Sequence, residues 1–128
     1  DNHVNNPEYG ILSHIERGEI VVSDRYKFSS LAYQSIGFDF QRVDELNSAF
    51  PYPEVVIFID TPLQSCIDHI DSRGQAKEIY EKLEYQRQVL ANYKRIFSNL
   101  PSGCRLLRID GSQTRERIFS DIVQGLGI

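Results

Sequence analysis

Apolar and polar positions along the chain divide it into continuous apolar runs and stripes at helical spacing. Three runs do not alternate: residues 19–23 (EIVVS), 54–60 (EVVIFID) and 104–109 (CRLLRI). A strand covered on both faces reads this way, as strands of a parallel sheet do. Each run closes on an aspartate: Asp24, Asp60 and Asp110.

The intervening segments read as helices. Asn5-Asn6-Pro7 opens the first, with Tyr9, Ile11, Leu12 and Ile15 on its apolar face and Gly18 at its end. The segment after Arg25 carries Phe28, Leu31, Ala32 and Ile36 at helical spacing and stops at Gly37. A short helix over 40–48 precedes the rigid connection Pro51-Tyr52-Pro53. Thr61-Pro62 caps a helix to about Ser72, and residues 73–77 (RGQAK) break the periodicity. A long helix over 78–100 has Leu83, Leu90, Tyr93 and Phe97 as one stripe. Thr114 caps the last helix, with Ile118, Ile122 and Val123 inward. Strands alternating with helices predict an α/β fold: a parallel sheet with helices on both faces and a functional edge at the carboxyl ends of its strands.

That edge is where the chemistry is expected. Asp24 offers a carboxylate for a metal ion or for orienting a phosphate, and Arg25 offers a planar fork suited to bidentate phosphate contacts. A salt-bridged pair capping a strand is the equally open alternative. In the following helix the polar positions are Ser29, Ser30, Tyr33 and Gln34, neutral hydrogen-bonding groups and an aromatic where a surface helix would carry Lys and Glu. Such a face suits a small molecule, although hydroxyls that meet only solvent would give the same pattern.

Composition narrows the classes without choosing among them. The 128 residues make at most one domain, 41% apolar and 25% charged. A net charge of -4 with no basic run argues against a nucleic-acid surface. No stretch approaches the roughly 20 apolar residues of a membrane span, so the expected setting is cytoplasmic. Cys66 and Cys104 lack ligand spacing and are expected as buried reduced thiols. His3, His14 and His69 are scattered and read as structural or solvated. Glu78, Glu81 and Glu84 could form a carboxylate cluster but read as a solvated helix face. No methionine occurs, and the chain is expected to be a processed product or part of a longer polypeptide.

The phrase DRYKFSSLAYQ, residues 24–34, closely resembles the central motif of thymidylate kinases. GEIVVSDRY, PEVVIFIDTP, the segment after SRG, EKLEYQRQVLANY and RIDGSQTRERI follow in that family's order. The resemblance implies a P-loop nucleoside monophosphate kinase fold and phosphoryl transfer from Mg-ATP to dTMP, giving dTDP and ADP; another nucleotide or deoxynucleoside kinase, or a non-catalytic nucleotide-binding module, is the alternative. It implies that Arg25 grips the 5′-phosphate of dTMP and that Asp24 sits beside the transferring phosphoryl and Mg2+, through water. Ser30 and Gln34, with Ser29 adjacent, would meet the thymine edge, and Tyr33 would fill the space of a 2′-hydroxyl. Residues 72–78 would form a lid whose Arg73 neutralises phosphate charge, and Gly111, Ser112 and Gln113 would lie near the adenine of ATP.

The chain departs from the family at Asn2, where an arginine is common, and at His69, where an arginine often stands. No GxxxxGK[ST] loop occurs. The chain is therefore expected to be the carboxyl-terminal portion, 1–128, of one such domain, without its amino-terminal P-loop segment. The family's homodimer is a further expectation. In the implied fold a strand before the phosphate loop separates the strand ending at Asp24 from the one ending at Asp60, and the chain alone is expected to be neither stable nor active.

Overall fold

In a computed structural model of the chain, residues 2–63 and 76–128 are described. The chain opens with one helical turn, α1 (Asn2–Asn5). Asn6 does not start a helix: its Oδ1 accepts the backbone N–H groups of Glu8 and Tyr9 at 2.9 and 3.0 Å, closing a turn. The helix expected there begins later, as α2 (Ile11–Glu16). Next come α3 (Lys27–Gln34) and α4 (Phe40–Asn47), the latter capped by Asp39, whose side chain accepts the Gln41 N–H at 3.2 Å. Between them Gly37 turns the chain at φ +95°, a conformation that favours glycine.

Among the described residues the sheet has two strands, β1 (Val55–Asp60) and β2 (Arg105–Asp110), paired parallel with Val55 opposite Arg105 and Asp60 opposite Asp110. The long helix α5 (Ala76–Phe97) and the final helix α6 (Arg115–Leu126) cover its opposite faces. On one face Phe58 stacks on Tyr93 of α5, with centroids 5.7 Å apart. On the other, Leu107 lies against Gly125 of α6. Thr114 caps α6 as expected, accepting the Arg117 N–H at 3.2 Å.

The expected first strand is not one. Among the described residues no strand pairs with residues 19–23, and Ile20 and Val22 are 94% and 88% exposed. An apolar run marks residues suited to a buried ladder but cannot supply the neighbour that makes one. The helix over 40–48 and the strand over 54–60 stand within one residue of expectation.

The core joins Phe28, Leu31 and Ala32 of α3 to Val43 of α4 and Val89 and Ile96 of α5. The stripe read from the sequence missed Val89 and Ile96. Helix α5 packs against both α3 and β1, so it has two apolar faces and one stripe describes only the second, where Tyr93 and Phe97 meet Phe58. Glu78 and Glu81 are exposed and Glu84 pairs with Arg87 at 3.0 Å, the solvated face expected. Cys104 is a buried free thiol, and burial pushes its pKa up. His3 is exposed and His14 pairs with Glu19. The helix expected to Ser72, with Cys66 and His69, lies outside the described residues, as does Arg73.

Candidate functional site

A cavity of about 620 Å³ separates the 21–26 segment from the edge of β1 that pairs with no described strand. Ile11, Leu12 and Ile15 of α2 and residues 55–59 of β1 give it apolar walls, and Asp24, Arg25 and Ser29 bring polar groups to it. Asp24 and Arg25 form no ion pair with each other. Among the described residues none donates a hydrogen bond to the Asp24 carboxylate. The capped-strand alternative is thereby removed, since neither the strand nor the pair forms.

Arg25 sits in a bend with φ +65°, in the left-handed region, and the Ser23 hydroxyl donates to its carbonyl oxygen at 2.8 Å. The guanidinium is anchored twice. Its Nε donates to Ser29 Oγ at 3.3 Å, and its Cζ lies 4.9 Å from the centroid of the Tyr33 ring. Ser29 Oγ is in turn 2.9 Å from the Tyr93 hydroxyl. Tyr33 packs edge-on against Tyr93 and tilts toward Tyr85, at 6.3 and 6.1 Å.

The first turn of α3 also fixes the Pro51-Tyr52-Pro53 wall of the cavity. The Tyr26 hydroxyl donates to the Pro51 carbonyl at 2.9 Å. The Lys27 Nζ, on a side chain only 5% exposed, donates to the Phe50 carbonyl at 2.9 Å and lies 3.8 Å from the Tyr52 ring centroid. Burial lowers the Lys27 pKa, and the attraction of Asp44 opposes part of that shift. A buried ammonium held by one carbonyl and a ring face is a structural tie.

The remaining expected residues are distributed differently. Ser30 and Tyr33 are half-buried and Gln34 exposed on α3, and none of the three lines the cavity. Gly111, Ser112 and Gln113 form a separate loop after β2. There Asp110 Oδ1 accepts the Ser112 N–H and hydroxyl at 2.9 and 2.6 Å, which holds its carboxyl below the usual range. Gln113 Nε2 donates to the Asp110 carbonyl and to Asp121, both at 3.0 Å. Asp60, at the end of β1, is held by Arg108 at 2.6 Å.

The residues sequence reasoning missed are Tyr26, Lys27, Tyr85 and the hydroxyl of Tyr93. Tyr93 was counted only as an apolar stripe position; a phenol on the inner face of a helix was the available signal, because a buried Tyr hydroxyl needs a partner.

The family described as Thymidylate kinase matches residues 2–122. A relative from Treponema pallidum is 35% identical over 120 residues, covering 91% of this chain and 58% of its own. Relatives from Pyrococcus abyssi and Pyrococcus horikoshii are 38% and 34% identical, over 67% and 88% of this chain and 42% and 54% of their own. The words thymidylate kinase stand in all three names. The chain thus spans about half the length of the curated relatives it matches. Two parallel strands with a helix on either face, each strand ending in an aspartate, and an arginine-bearing cavity beside β1 are consistent with an α/β fold of the P-loop kinase type. The chain belongs to the thymidylate kinase family.

Proposed function

We propose that the protein to which this chain belongs transfers a phosphoryl group from ATP to dTMP. The observation that carries the reading is the doubly anchored guanidinium of Arg25, which with Asp24 lines a cavity whose walls from α2 and β1 are apolar. Phosphoryl transfer asks a protein to position reactants, offset developing charge and exclude water. Arg25 takes the 5′-phosphate of dTMP, Ser30 and Gln34 meet the thymine edge, and Tyr33 excludes a 2′-hydroxyl. Ser29 serves the same site as the anchor of Arg25. Arg73, in a lid over about 72–78, and Gly111, Ser112 and Gln113 serve ATP.

The donor set fits Mg2+, which usually takes one or two carboxylates together with water and substrate phosphates. The Asp24 carboxylate is exposed toward the cavity and unclaimed among the described residues. When bound, the ion supplies charge to the phosphate oxygens. Asp24 would hold the ion, through water.

The reading includes a P-loop segment supplied by further polypeptide, a homodimer and a cytoplasmic location. The edge of β1 that pairs with no described strand, the cavity beside it and the chain's half-length match to its relatives support the first of these. Among the described residues no helix is long and apolar enough to cross a membrane.

The test is dTMP-dependent ADP formation from ATP by the full-length polypeptide. Arg25→Lys is expected to weaken dTMP binding and spare thymidine, because an ammonium cannot reproduce the fork. Tyr33→Ala is expected to raise turnover of UMP relative to dTMP by about 10- to 200-fold, the range a small exclusion pocket commands. No dTMP-dependent ADP, or equal loss of dTMP and thymidine in Arg25→Lys, overturns the reading.

A further inference from the structure

We propose that Tyr93 is a positioning residue that fixes the Arg25 guanidinium for a phosphomonoester by holding the Ser29 hydroxyl. The inference rests on the assignment of Arg25 to the dTMP phosphate and adds to it a residue on another element, 68 positions away in sequence, as the difference of 93 and 25 shows.

An arginine side chain has four flexible torsions, and holding it in one pose before a ligand arrives removes ordering cost from binding. Here the face of the guanidinium lies over Tyr33 and its Nε edge is tied to Ser29, leaving the paired Nη groups for a ligand. Among the described residues no side chain or carbonyl accepts from those Nη groups. A serine hydroxyl can accept from Arg25 and still exchange a second hydrogen bond, and that second bond is with Tyr93 at 2.9 Å. Without it the Ser29 rotor is free to turn away from Nε.

Tyr93 is suited to act as the fixed end. Its ring is stacked on Phe58 of β1 at 5.7 Å and on Phe97 at 5.6 Å, and it meets Tyr33 in a T-shaped contact. Three rings thus locate one hydroxyl. Asn92, the preceding residue, donates to the Ala32 carbonyl at 2.9 Å and holds α5 in register with α3. The pose of Arg25 is therefore keyed to how α5 lies between α3 and the sheet.

Tyr93→Phe removes only the hydroxyl and keeps the stack. In the full-length protein, calorimetric titration with dTMP and thymidine is compared for wild type, Tyr93→Phe, Ser29→Ala, the double variant and Arg25→Ala, with a thermal melt of each. Loss of one neutral hydrogen bond predicts a dTMP affinity about 2- to 10-fold weaker in Tyr93→Phe, with thymidine unchanged. The double variant is expected to bind no more weakly than Ser29→Ala alone, because both act through the same contact. Equal losses for dTMP and thymidine, or additive losses in the double variant, overturn the proposal, as does unchanged dTMP affinity in Tyr93→Phe while Arg25→Ala weakens dTMP binding. Unchanged dTMP binding in Arg25→Ala instead overturns the underlying phosphate assignment.

Discussion

Arg25 adopts a left-handed backbone that costs a residue with a Cβ about 1–2 kcal/mol. Strain of this kind persists where surroundings over-determine it, and here the Ser23 hydroxyl, Ser29 and Tyr33 all hold the bend. Removing the guanidinium by two routes separates strain from recognition. Arg25→Gly is expected to be about 1 kcal/mol more stable than Arg25→Ala in denaturant melts of the full-length protein, although both lose the guanidinium. Equal stabilities would show that the bend relaxes. Asp110 gives a second residue-scale expectation. Ser112 holds its carboxyl below the ordinary 3.8, so the stabilisation it brings is present above that value and lost as pH falls through the lower folded one. Ser112→Ala keeps the backbone donor and removes the hydroxyl. Its Asp110 midpoint, followed by carboxyl carbon NMR, is expected to rise toward 3.8 without reaching it. At this scale the sequence was most legible where one motif carried the chemistry: Asp24, Arg25 and Ser29 do meet at one cavity. Tyr93 was illegible because its partner stands 64 positions away, and periodicity scores a phenol as merely apolar.

Elements were legible wherever their cause is local. Thr114 caps its helix with the side-chain contact that type of residue makes, and β1 and β2 begin and end within one residue of the apolar runs that predict them. Where the cause is a neighbour, sequence reading failed. Residues 19–23 have the composition of β1 but no ladder among the described residues, and α5 buries Val89 and Ile96 because α3 and α4 occupy a face that no stripe announced. The packing of α6 on β2 depends on a missing side chain. A Cβ at Gly125 would stand 2.5 Å from Leu107 Cδ1, so Gly125→Ala must move either the leucine or the helix. Overpacking costs about 1–3 kcal/mol, and helix propensity returns at most about 1 this close to the helix end. A lower Cm in urea at unchanged slope is expected for the full-length variant. Added Leu107→Val is expected to recover part of it; no change in Cm would mean that the interface has slack.

At the scale of the whole molecule, β1 and β2 pair in parallel across 50 residues, from Val55 to Arg105, and β1 has no other described partner. That separation becomes a waiting time during synthesis. At roughly 5–20 residues per second, the segment Val55–Asp60 leaves the ribosome about 3–10 s before its partner strand exists. Helices α3 and α4 can close on local contacts in that interval, whereas Ile57 and Ile59, still 39% and 47% exposed in the finished structure, have nothing to cover them. The β1 segment is thus a window for capture by a chaperone, or for association between neighbouring nascent chains on one message. Nascent chains arrested just before β2 emerges are expected to bind a hydrophobic-peptide chaperone at residues 55–60, and those arrested well after it to release the chaperone. Equal occupancy at both lengths would mean that α5 shields the strand before its mate arrives.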